Sequence, residues 1–84
     1  MDRTLRYFAW VAELIGTDSE QREFEPSDSI ADILDRLSAE GGGYGDAFAD
    51  RARLRFALDG EMAGPDTILG EASEVAIFPP VTGG

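Results

Sequence analysis

Only one stretch of this chain carries a sustained helical pattern, and it sits among strand-like runs. Ser29 followed by Asp32 is a variant of the N-terminal capping box. Ile30, Ile33, Leu34 and Leu37 then recur at helical spacing, while Ala31, Asp35 and Arg36 face elsewhere. Gly41-Gly42-Gly43 closes the pattern. A lone amphipathic helix must bury its apolar stripe against another layer. The rest of the chain offers only strands for that purpose. Residues 5–10 form an aromatic-rich candidate, and residues 20–25 a weaker one closed by Pro26. Residues 54–58 alternate, Asp59-Gly60 is a hairpin-turn dipeptide, and residues 61–63 return. Residues 74–78 form the last strand, which Pro79-Pro80 must end. Shorter signals complete the pass. Residues 11–15 predict a brief helix ended by Gly16, and residues 67–70 a turn of helix. Residues 44–52 leave room for another short helix.

Strand, strand, helix, strand, strand, strand is the order of a β-grasp, the ubiquitin-like α+β architecture. The helix would cross a mixed sheet, with the first and last strands side by side. The 84 residues suffice for one domain. Residues 1–78 are expected to fold, and residues 79–84 to form an extended tail.

Side-chain alternation assigns the two sheet faces. Leu5, Tyr7 and Ala9, then Leu54, Phe56 and Leu58, then Val75 and Ile77 form the expected core with the helix stripe. The opposite face would carry Arg6, Phe8, Trp10, Arg55, Ala57, Ala76 and Phe78. A solvated face has no use for two phenylalanines and a tryptophan, and such clusters mark binding surfaces.

The net charge of −10 disfavours nucleic acid, which requires a basic footprint. It favours a partner with a basic surface. No apolar run approaches a membrane span, no signal-peptide architecture opens the chain, and a cytoplasmic location is the expectation. Cysteine and histidine are both absent, which removes thiolate chemistry, the commonest general base and the commonest zinc ligand. The glycine-rich residues 41–45 follow a helix instead of a strand and include no lysine, so they read as a flexible turn, not a phosphate loop. No nucleophile–base pair or metal cluster is legible.

What remains is the ending, Phe78-Pro79-Pro80-Val81-Thr82-Gly83-Gly84. Two prolines favour an extended projection, and two glycines make a narrow tip able to enter a channel on another protein. A carboxylate there is a poor electrophile until activated. A mixed anhydride with AMP would make it reactive, and displacement by a sulfur nucleophile would leave a thiocarboxylate. All seven basic residues are arginine, so the chain supplies no lysine side-chain amine to attack its own activated end.

The ending and the strand order together resemble the MoaD family, the small sulfur-carrier subunits of molybdopterin synthase. The likeness runs through Tyr7-Phe8-Ala9, Glu13-Leu14-Ile15-Gly16-Thr17, Phe56-Ala57-Leu58-Asp59-Gly60-Glu61 and the ending from Glu74 to Gly84. Ala12 and Glu71-Ala72-Ser73 depart from the family pattern. The resemblance implies a cycle. An E1-like adenylating enzyme activates the Gly84 carboxylate using ATP and magnesium, a sulfur donor converts it to the thiocarboxylate, and this chain binds no cofactor itself. The tail, Pro79, Pro80, Val81, Thr82 and Gly83, then inserts into the large synthase subunit and delivers sulfur to a cyclic pyranopterin monophosphate. The resemblance also implies a heterotetramer with the large subunit, contacted through Phe8, Met62 and Phe78. Other readings share the tail chemistry: a sulfur carrier for thiamine or cysteine synthesis, or a ubiquitin-like modifier joined to target lysines. A β-grasp binding module with an incidental tail is the remaining alternative.

Overall fold

The computed structural model describes residues 1–80. The elements are β1 (Asp2–Tyr7), α1 (Ala9–Ile15), β2 (Ser19–Glu23), α2 (Ile30–Ala39), α3 (Gly43–Ala47), β3 (Arg55–Leu58), β4 (Glu61–Ala63) and β5 (Glu74–Phe78). One 3-10 turn, Arg51–Arg53, precedes β3. The sheet order is β2-β1-β5-β3-β4, with β1 and β5 parallel and the other pairs antiparallel. This is the expected β-grasp, with β5 in the middle of the sheet.

α2 forms as its sequence dictates. The Ser29 side chain accepts from the Asp32 amide, and the Asp32 carboxylate accepts from the Ser29 amide, at 3.1 and 2.8 Å. Ile30, Ile33, Leu34 and Leu37 are fully buried and pack with Leu5, Tyr7, Phe56, Val75 and Ile77 of the sheet. Each such side chain contributes roughly 1.5–3 kcal/mol on burial. Phe24, Leu54 and Leu69 join the same core from the connections. The β3–β4 turn has positive φ at both central residues, 46° at Asp59 and 87° at Gly60. That is the type I′ geometry which Asp-Gly favours. The Asp59 carboxylate also accepts from the Ser73 and Glu74 amides, which anchors the hairpin to the start of β5.

Three local expectations are corrected. The first strand ends at Tyr7, three residues short of the expected residue 10, and Trp10 lies on α1 instead of the sheet. Ala9 takes φ of 53°, which turns the chain out of β1, so it leaves the core face and is exposed. Residues 67–70 form no helical turn. Ile68 makes an isolated bridge with Ser29, and buried Leu69 plugs the core.

The glycine-rich stretch is the third. Gly43 and Gly45 belong to α3, a helix with poor intrinsic propensity that is held by packing on α1. A Cβ on Gly43 would lie 1.7 Å from the Leu14 carbonyl oxygen, whereas one on Gly45 would meet nothing within 4 Å. Gly43→Ala is therefore expected to destabilise the fold by about 1–3 kcal/mol through overpacking. Gly45→Ala should be neutral or stabilise by roughly 0.5–1 kcal/mol. Urea denaturation of the two variants side by side checks the contrast.

A polar network secures the other side of α3. The Tyr7 and Tyr44 hydroxyls both donate to Glu20 Oε2, at 2.7 and 2.6 Å. Arg22 donates to Glu20 and, with both terminal nitrogens, to Glu40 at the C-cap of α2. Burial opposes ionisation of Glu20, but hydrogen bonds from Tyr44, Tyr7 and Arg22 outweigh it and hold its carboxyl below the usual range. Burial and the Glu20 contact push the Tyr7 hydroxyl well above its ordinary value.

Candidate functional site

The C-terminal end of β5 is where the outer sheet face becomes apolar. Val75 and Ile77 are fully buried toward α2, so Ala76 and Phe78 point away from it. The register extends this outer face sideways. Arg6, Ala76, Ala57 and Met62 lie in one row across β1, β5, β3 and β4, and Arg55 is the direct partner of Phe78.

Phe8 completes the patch by an unusual route. Its amide donates to the Ile77 carbonyl at 3.3 Å, extending the β1–β5 ladder by one residue beyond the strand. Its backbone stays extended, with φ of −128° and ψ of 151°, which sets its side chain on the face opposite Tyr7. The positive φ at Ala9 then redirects the chain into α1. Positive φ is uncommon outside glycine and is found where surrounding structure imposes it. The effect is to leave Phe8 projecting, 47% exposed, beside Phe78. The two rings meet edge to face with centroids 6.3 Å apart.

Phe8, Ala9, Ala76, Phe78 and Pro79 line an open groove of about 460 Å³. None of these residues carries an acid, a base or a nucleophile. Among the described residues, the clearly perturbed ionisable groups are elsewhere: Tyr7, Glu20, Arg22, Glu40 and Tyr44 in one network, and Asp59 at the hairpin. The groove is therefore equipped to bind an apolar surface and carries no catalytic constellation.

The site residues read from the sequence can be placed where they fall within residues 1–80. Phe8 and Phe78 share the outer face and touch. Met62 lies on the same face at the edge strand and is 66% exposed. Trp10, expected beside them, is half-buried on α1, where Arg53 stacks over its ring at 5.4 Å. Pro79 lines the groove, and Pro80 follows it half-buried. Val81, Thr82, Gly83 and Gly84 lie outside the described residues. Sequence reasoning put Ala76 on this outer face with Phe78 but missed Ala9, which it had assigned to the core face. Among the described residues, no helix is long and apolar enough to cross a membrane.

Comparison with known proteins extends the likeness beyond the fold. No curated protein matches the sequence. Among solved structures, the chain is similar to SAMP1 from Haloferax volcanii, at 25% identity over 100% of both chains with a TM-score of 0.73. It is also similar to the Haloferax volcanii HVO 2177 protein, at 27% identity over 100% of this chain and 87% of that one, with a TM-score of 0.77. A third likeness, in fold, is to a protein from Pyrococcus furiosus provisionally assigned as molybdopterin converting factor, subunit 1. It is 22% identical over 96% of this chain and 99% of that one, with a TM-score of 0.74. The pattern of the ThiS family matches residues 5–84, which takes in the second half of β1, all of β5, the groove and the ending. With that span matched, the chain belongs to the ThiS family of ubiquitin-like sulfur carriers.

Proposed function

We propose that this chain is the sulfur-carrier subunit of a molybdopterin synthase. The observation that carries the reading is the open apolar groove at the end of β5, immediately before the Pro79–Gly84 ending. The groove would hold a partner while the Gly84 carboxylate reaches that partner's active site. An adenylating enzyme would join the carboxylate to AMP with release of pyrophosphate. A sulfur nucleophile would displace AMP and leave the thiocarboxylate. Docked on the large subunit through Phe8, Phe78 and Met62, with Pro79, Pro80, Val81, Thr82 and Gly83 in its channel, the chain would surrender that sulfur to the cyclic pyranopterin. The name borne by the Pyrococcus furiosus neighbour agrees with this assignment.

A second reading has its own support. The Haloferax volcanii neighbour is named as a small archaeal modifier protein, so attachment of Gly84 to target lysines is the alternative use of the same activated end. Intact-mass measurement of the protein isolated from its native cells separates the two. The carrier reading expects sulfur in place of one terminal oxygen, and the modifier reading expects larger species in which Gly84 is joined to a lysine of another protein. A terminus that is unmodified under all growth conditions would count against both.

The groove supplies a prediction of its own. Phe78→Ala removes the ring on which Phe8 packs and opens the groove floor. Binding to the large subunit is expected to weaken by roughly 1–4 kcal/mol, the range of an interface anchor. Isothermal titration measures it, and an unchanged affinity would reduce Phe78 to a structural residue.

A further inference from the structure

The chain's arginines divide into two groups by what they touch. Arg6 pairs with Glu74, Arg22 with Glu20 and Glu40, Arg36 with Asp28, and Arg51 with Asp35. Arg3 is buried on backbone carbonyls. Of the arginines that reach the surface, only Arg53 and Arg55 have no carboxylate partner among the described residues, in a chain of net charge −10. Both are exposed, and each adjoins a residue beside or in the groove: Arg55 through its pairing with Phe78, Arg53 through Trp10, next in sequence to the groove-lining Ala9. Arg55 is the register partner of Phe78, on the same outer face. One terminal nitrogen of Arg55 donates to the Ala52 and Leu54 carbonyls, which fixes the guanidinium and leaves its remaining N–H groups uncommitted. Arg53 is steadied by its stack on Trp10, two residues beyond Phe8. A guanidinium held by its face keeps its N–H edge free for a carboxylate.

We infer that Arg53 and Arg55 are the specificity-determining rim of this docking face, and that the partner seated there presents Asp or Glu carboxylates beside an apolar side chain that enters the groove. Charge complementarity selects this occupant. Elsewhere the surface of the chain repels acidic proteins, and this rim is where its unneutralised positive charge is concentrated. The inference rests on the carrier reading, in which the adenylating enzyme is the first partner to engage this face. Its acidic residues would orient the groove over its own apolar knob before the Gly84 end reaches ATP. Rim charges of this kind act on encounter and register more than on chemistry.

The test uses the full chain and the adenylating enzyme from the same organism. Arg53→Ala/Arg55→Ala is expected to bind about tenfold more weakly at low salt, with a shallower dependence of affinity on salt. In the ATP–pyrophosphate exchange assay its KM should rise by a similar factor while kcat stays unchanged. Arg53→Lys/Arg55→Lys should recover part of the loss, and Arg36→Gln, which removes a charge already paired elsewhere, should bind as wild type. Equal affinity of the double alanine variant and wild type would overturn the rim while leaving the carrier reading intact. A loss that does not vary with salt, or that tracks a fall in melting temperature, would also overturn it. Failure of the wild-type chain to support exchange at all would overturn the carrier reading and the rim with it.

Discussion

A chain lacking Gly84 is expected to fold normally and to lose acyl-adenylate formation by at least about 100-fold. The argument is one of reach. Deletion moves the terminal carboxylate back by one residue, about 3.5 Å, and a misplacement near 1 Å already costs on the order of 100-fold at a reacting centre. Stability should not change, because the buried core runs from Leu5 to Ile77 and the deletion lies beyond it. The pair of measurements is ATP–pyrophosphate exchange and the urea midpoint. Exchange that survives the deletion would place the reactive group somewhere other than the Gly84 carboxylate. Loss of exchange together with a lowered midpoint would implicate folding instead. This prediction tests the ending alone, whereas Phe78→Ala tests the groove.

How much of this was legible beforehand follows from whether a feature is set locally or by packing. α2 was legible because its capping box and its apolar stripe agree with each other. The core face of β5 was legible because Val75 and Ile77 alternate with Ala76 and Phe78, and a one-residue slip would have reversed them. The aromatic outer face was correctly located at Phe8 and Phe78 for the same reason. Trp10 was misplaced because alternation continues only while the backbone stays extended, and nothing in Tyr7-Phe8-Ala9-Trp10 announces the positive φ at Ala9. α3 was legible only as room for a short helix within residues 44–52, and its start at Gly43 was hidden for a complementary cause. Gly-Tyr-Gly-Asp-Ala has weak helical preference, and what holds it is the close approach of Gly43 to Leu14, a contact between segments far apart in sequence. The arginine rim was hidden as well. Sequence shows seven arginines but not which of them already have carboxylates.

The same blindness to long-range contact applied to Arg3, the source of the largest expected effect on the fold. It sits near the start of the chain, where a charged residue is ordinarily assumed to be solvated. In the structure it is 0% exposed, on the core face of β1 with Leu5 and Tyr7. Its Nε donates to the Phe24 carbonyl at 3.3 Å, and its terminal nitrogens donate to the carbonyls of Gly70, at 2.7 Å, and Ala72. One planar fork thus ties the end of β2 and the segment before β5 to β1. Arg3→Met would fill much of the space but leave three carbonyls without this donor. With charged hydrogen bonds worth roughly 1.5–3 kcal/mol each and partly redundant with water, a loss of about 3–5 kcal/mol is expected. That is a large share of the roughly 5–15 kcal/mol that holds a small domain together. Arg3→Lys keeps the charge but not the fork, so it should recover only part of the loss. Chemical denaturation ranks the three proteins, and amide exchange should show the added opening concentrated at residues 69–73 and the start of β5. Because β5 carries Phe78 and leads into the ending, that opening should also weaken partner binding in proportion to its population. Equal midpoints for wild type and Arg3→Met would mean that water satisfies those carbonyls, and that the buried guanidinium contributes nothing net to the fold.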